Sequence, residues 1–154
     1  RAYDRLWHTT HLASVEPGWH ATGDVGRLDA DGRLWVGGRL GHLITAPGGP
    51  VMPVRIEQAV ETLPDVEQAA AVGIGPAGTQ QLAVIVQCTD TDGAPRLADP
   101  ELHDRVRSTV PDSVAAVIEV AELPVDRRHN SKVDRGRLAA WAAKVLAGGR
   151  MTTP

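Results

Sequence analysis

Two short apolar runs, AAAVGI (residues 69–74) and LAVIV (residues 82–86), constrain this chain more than any other feature. Each is too short for a helix, rich in small and β-branched residues, and free of charge, so each predicts a buried strand. The Gly- and Pro-containing GPAGTQQ between them predicts a loop. The pair forms the centre of a small sheet, and the rest of the chain has to supply what covers it.

The covering elements are legible from period and punctuation. From Pro53 onward, Ile56, Ala59, Val60 and Leu63 fall at helical spacing; Pro53 suits a first turn and Pro64 stops the run. Asp99 and Pro100 form a cap and first turn for a second helix with Leu102, Val106 and Val110 on one face, ended by Pro111. SVAAVIEVAELP (residues 113–124) predicts a third strand. A last helix begins near Asp134 with Leu138, Trp141, Ala142 and Val145 in register, and Gly148-Gly149 stops it. Upstream, VGRLDADGRLWV (residues 25–36) predicts a β-hairpin around Asp31-Gly32, a pair suited to a tight turn. Gly37, Gly38, Gly41, Gly48 and Gly49 then interrupt the pattern around the apolar stretch Leu43–Ala46, as a hinge or a ligand-facing loop does. The fold class expected is α+β: a small three-stranded sheet with flanking helices on one or both faces, preceded by a β-hairpin and hinge.

Composition sets the outer limits. With 154 residues the chain has room for one ordinary core plus an appendage. Its 42% hydrophobic and 23% charged residues are those of a globular protein. No apolar run reaches transmembrane length. Cys88 is the single cysteine, so no internal disulfide forms, and a reducing, cytoplasmic setting is expected. A net charge of −3 excludes the broad basic footprint of nucleic-acid binding. The start, RAYDRLWHTT, has neither an initiator Met nor a leader, as expected of a piece of something longer.

Positive charge therefore acts locally, and it gathers in LPVDRRHNSKVDRGRL (residues 123–138). Between Asp126 and Arg137 five basic residues outnumber two acidic ones. Lys132 stands two residues before the expected cap Asp134, at the positive end of the last helix, where an ammonium and backbone N–H groups suit a phosphate or carboxylate. A solvated loop with mutually paired charges is the alternative, and composition leaves both open. In WHATGDVG (residues 19–26), Asp24 follows Thr22-Gly23 just before a strand. Its carboxylate suits a pair of sugar hydroxyls, or simply the turn itself. The HTTH of residues 8–11 has metal-like spacing but no further ligand set, so no metal site is expected.

Three motifs taken in order, GWHATGDVGRLDADGRLWVGGR, VMPVRIEQAVETLPDVEQAAAVGI and LPVDRRHNSKVDRGRL, resemble the carboxy-terminal part of the acyl-adenylate-forming enzymes. The resemblance spans about residues 17–140. It implies that residues 1–39 are the tail of a large amino-terminal adenylation domain, residues 40–148 a mobile lid, and residues 149–154 a tail. By the same resemblance Asp24 binds the ribose hydroxyls of ATP, Arg39 is a second nucleotide contact, and Lys132 is the catalytic lysine of adenylation. Gly41 takes the hinge position, where the family usually has Asp or Lys. ATP with Mg is the implied cofactor, held mainly by the amino-terminal domain.

Three departures stand out. Gly41 removes a charge at the hinge. PVRIE places Arg55 where the family has an acidic residue while Glu57 remains. Ser131 replaces the glycine before the lysine, in a longer loop. PVDRRHNSK is similar to the form found in olefin β-lactone synthetases, which adenylate a fatty-acid-derived β-hydroxy acid and close it to a lactone. The implied partners are the amino-terminal domain, the acyl substrate and other olefin-biosynthesis enzymes. The alternatives are an acyl-CoA synthetase lid and a catalytically silent module of the same fold.

Overall fold

A computed structural model of the chain describes residues 19–89, 93–125 and 132–154. It divides into two units, Arg1–Gly41 and His42–Pro154. In the first, β1 (Asp24–Leu28) and β2 (Leu34–Arg39) pair antiparallel. Their connection is a three-residue loop, not the two-residue turn that Asp31-Gly32 led us to expect. The Gly32 N–H donates to the Asp29 carbonyl and the Asp29 N–H to the Arg33 carbonyl, both at 3.0 Å, with Gly32 at φ 76°. That is the bulged hairpin in which only the last loop residue needs the left-handed region.

In the second unit, β3 (Ile44–Ala46) and β4 (Gly49–Val51) form a small hairpin, followed by α1 (Pro53–Val60), β5 (Val66–Ile74) and β6 (Gln81–Cys88). Then come β7 (Arg96–Leu97), α2 (Pro100–Thr109), β8 (Val114–Val120) and α3 (Arg135–Leu146). The sheet order is β5-β6-β8-β7, with β6 and β8 parallel and the other pairs antiparallel. The α+β class is as expected, but the sheet has four strands where three were expected. The addition, β7, is two residues long, too short to leave a period in the sequence, and it is fixed across the ladder by Arg96 donating to Glu119 at 2.6 Å.

Alternation along the strands sends side chains to opposite faces and makes two cores. On one face Ala69, Ala71, Val84 and Val86 meet Ile56 and Val60 of α1 and Val106 of α2. On the other, Ala70, Val72, Ile85 and Ile118 meet Leu138, Ala142 and Val145 of α3. An irregularity in register opposite Leu82 and Ala83 sets Ala115 outside the ladder, which lets Val114 and Val117 share one face despite their odd spacing.

The helix ends follow local chemistry. Asp99 caps α2 by accepting from the Leu102 N–H at 2.8 Å. Val110, expected on that helix, lies just past its end in extended backbone, φ −114° and ψ 143°, because the ring of Pro111 disfavours the helical region for the residue before it. At the far end of α3 the Gly149 N–H donates to the Lys144 carbonyl and the Gly148 N–H to that of Val145, with Gly148 at φ 90°. This paired closure satisfies two terminal carbonyls.

Candidate functional site

The candidate residues occupy two places, one in each unit. In the first, hairpin register sets Asp24 opposite Arg39, and the Arg39 Nε lies 3.2 Å from Asp24 Oδ1. Arg39 Nη1 also donates to the Thr22 carbonyl at 2.7 Å, and the Thr22 hydroxyl accepts from the Asp24 N–H at 3.2 Å. Gly23, at φ 74°, turns the chain so that its own carbonyl accepts from the Leu40 N–H at 2.8 Å. The turn therefore holds both ends of the hairpin and fixes the pair. Asp24 keeps 37% of its side chain exposed and Arg39 57%, so the carboxylate is oriented by the arginine yet open to a ligand. The two residues singled out separately in the sequence are thus brought into contact. Gly41 lies in a turn of 3-10 helix, Leu40–His42, at the boundary between the units, and a side chain there would meet nothing within 4 Å.

In the second unit Lys132 is exposed and directly precedes Val133. Val133 forms an isolated β-bridge with Val125, and the Asp134 N–H donates to the Pro124 carbonyl at 2.8 Å. Asp134 then caps α3 by accepting from the Arg137 N–H at 3.0 Å. The backbone around Lys132 is thus pinned on its carboxy-terminal side within one residue. Of the other basic residues, Arg137 donates to the Pro154 carbonyl at 2.8 Å. Arg127, Arg128, His129, Asn130 and Ser131 lie outside the described residues, as do the HTTH histidines His8 and His11.

The sequence reading left Arg135 without a role, and the structure gives it one. Its Nε and Nη2 donate to Glu57 Oε1 and Oε2 at 3.1 and 2.6 Å. Glu57 also accepts from the Ala71 N–H at 3.0 Å, while Glu61, one turn later, accepts from the Ala69 N–H at 3.0 Å. Because β5 is an edge strand, these N–H groups face outward, and the two carboxylates of α1 satisfy them. The side chains of Arg135 and Glu57 are 19% and 9% exposed. The sequence did carry a hint: Glu57 adjoins the apolar stripe Ile56–Val60, and a carboxylate so placed needs a partner when buried.

No protein-family model matches the chain. It is 37% identical over 128 residues to the olefin β-lactone synthetase of Xanthomonas campestris pv. campestris, a match covering 81% of this chain and 23% of that protein. The chain belongs to the acyl-adenylate-forming enzymes. Within that family it is also 41% identical over 113 residues to the marinolic acid–CoA ligase of Pseudoalteromonas sp. (strain SANK 73390), covering 71% of this chain and 17% of that one. A solved structure, the amide bond synthetase McbA from Marinactinospora thermotolerans, aligns at TM-score 0.70 and 30% identity over 92% of this chain and 28% of its own. The chain spans less than a quarter of the length of the curated relatives it matches. It corresponds to the carboxy-terminal part of these acyl-adenylate-forming enzymes. Among its described residues no helix is long and apolar enough to cross a membrane.

Proposed function

We propose that this region is the carboxy-terminal lid of an ATP-dependent ligase that adenylates a fatty-acid-derived β-hydroxy acid and closes it to a β-lactone. The observation that carries the reading is the Asp24–Arg39 contact at 3.2 Å, the two expected nucleotide ligands assembled in one place. On this reading residues 1–39 complete a large amino-terminal adenylation domain, residues 40–148 form the lid, residues 149–154 are a tail, and Gly41 is the hinge. The protein is cytoplasmic, and its partners are that amino-terminal domain, the acyl substrate and other enzymes of olefin biosynthesis.

Asp24 accepts hydrogen bonds from the ribose hydroxyls, and Arg39 orients its carboxylate. The acid's carboxylate oxygen attacks the α-phosphorus, the bond to the β-phosphate oxygen breaks, and pyrophosphate leaves. Lys132 bonds the carboxylate and α-phosphate oxygens as charge builds between them. The substrate's own hydroxyl then attacks the acyl carbon, losing its proton to solvent, while the acyl–phosphate bond breaks and AMP departs. The magnesium that accompanies ATP is assigned, by the same kinship, to the amino-terminal domain. The kinship with a CoA ligase at 41% identity favours one second reading, in which coenzyme A takes the acyl group.

The test uses the full-length enzyme with ATP and a β-hydroxy fatty acid, with and without coenzyme A, and identifies the product by NMR. A lactone formed without coenzyme A supports the first reading; a thioester formed only with it supports the second. Lys132→Ala should slow pyrophosphate release on the order of a hundredfold or more. The 154 residues by themselves should not turn over.

A further inference from the structure

The segment that carries Lys132 is tied to the sheet by a short chain of contacts. Ala71 on the edge strand donates to Glu57 at 3.0 Å, Glu57 accepts both nitrogens of Arg135, and Arg135 is three residues from Lys132. Within that interval the Arg135 N–H donates to the Val133 carbonyl at 3.0 Å and the Asp134 N–H to that of Pro124 at 2.8 Å. The pair also joins opposite sides of the sheet, since α1 packs one face and α3 the other. A buried ion pair is poor evidence of net stabilisation, because desolvation offsets most of the attraction. What it supplies, and an apolar contact does not, is direction: a forked guanidinium on a carboxylate fixes distance and angle together.

We propose that Glu57 and Arg135 form a positioning pair for the adenylation step, setting where Lys132 stands by fixing the start of α3 against the sheet edge. This rests on the role of Lys132 proposed above. Neither residue touches substrate; both act through the lysine. Lysine's stem is flexible, so the accuracy of its ammonium depends on the backbone that bears it, and an error of about 1 Å in a reacting group costs on the order of a hundredfold in rate.

The experiment is a double-mutant cycle in the full-length enzyme, reading steady-state pyrophosphate release as kcat and as KM for ATP. Arg135→Lys keeps the charge and loses the fork. It should lower kcat on the order of tenfold or more while leaving KM within about twofold. In a Lys132→Ala background the same substitution should change the residual rate by less than about twofold, because what it positions is gone. A drop of equal size in both backgrounds, or an unchanged kcat for Arg135→Lys, overturns the proposal. If Lys132→Ala is itself silent, the proposed function falls first and the positioning role with it. Should Arg135→Lys fold poorly, Glu57→Asp shortens the same contact from the other side and is read through the same cycle.

Discussion

The described parts of the two units are each ordered by different means. The second, His42–Pro154, has two cores on the two faces of one sheet, with Val60, Val84, Ile85, Val106, Ile118 and Leu138 at 0% exposure. In the hairpin of the first, Leu28, Leu34 and Val36 are 68%, 66% and 62% exposed. Beyond its backbone ladder, its loop end is ordered by polar contacts around one carboxylate. Asp29 accepts from the Arg33 backbone N–H and Nε, each at 2.9 Å, from the Trp35 indole at 2.8 Å and from the Asp31 N–H at 3.0 Å. These bonds, the Trp35 indole foremost, hold the Asp29 carboxyl below its ordinary value. Hydrophobic burial carries stability roughly in proportion to area, whereas exposed polar contacts fix geometry at little net gain. The difference teaches that, among the described residues, the second unit carries the buried apolar core, while the hairpin's apolar surface belongs, on the function proposed, against the remainder of the amino-terminal domain.

The largest effect should therefore lie in the second unit. Leu138 is fully buried among Ile85, Ile118 and Val120, with no exposed side to collapse from. Leu138→Ala should cost about 2–5 kcal/mol in urea unfolding of the chain. Leu34→Ser in the hairpin should leave the same midpoint within about 0.5 kcal/mol. A comparable loss at both positions would break the contrast between the units.

An intermediate effect separates energy from direction inside the second unit. Glu57→Leu alone leaves the Arg135 guanidinium facing an apolar side chain and takes the acceptor from the Ala71 N–H, and should cost about 2–4 kcal/mol. Glu57→Leu with Arg135→Met should regain at least half of that, because removing both charges removes the unpaired one. Calorimetric melting of the single and double variants measures it. A double variant no more stable than the single would mean that the pair itself is a net source of stability.

Much of the frame was legible in the sequence because it is written in local signals. Asp99-Pro100 and Asp134 announced the starts of α2 and α3, and AAAVGI and LAVIV the central strands, since capping and burial depend on residues a few positions apart. Asp24 and Arg39 were each found separately, and hairpin register then brought them opposite each other. What escaped is non-local. Arg135 meets Glu57 across 78 positions of sequence, and no spacing rule reaches that far. Strand β7 owes its place to Glu119 on a neighbouring strand rather than to any pattern in Arg96-Leu97. The hairpin loop was misjudged by one residue because Asp-Gly serves both a two-residue turn and the last positions of a bulged one.

The smallest effect expected lies on the surface of the stable unit, where a polar contact joins helix and loop. Both oxygens of Asp65, which follows α1, accept from the Arg105 guanidinium of α2. That hydrogen bond is the main cause that holds the Asp65 carboxyl below its ordinary value of 3.8, and the same contact raises Arg105. A carboxyl depressed in the folded state stabilises it above the unfolded pKa, and this contribution is lost as pH falls through the folded value. The side chains are 41% and 36% exposed, so solvent screens the pair and its contribution is small. Asp65→Asn should thus be slightly less stable than the parent at about pH 6, with the gap closing as pH drops from about 4 and also with added salt. Stability curves for the two chains across that range test the sign. A gap that widened under acid would assign the contact a charge balance opposite to the one its geometry shows, and would place this surface among the features that carry the unit's stability.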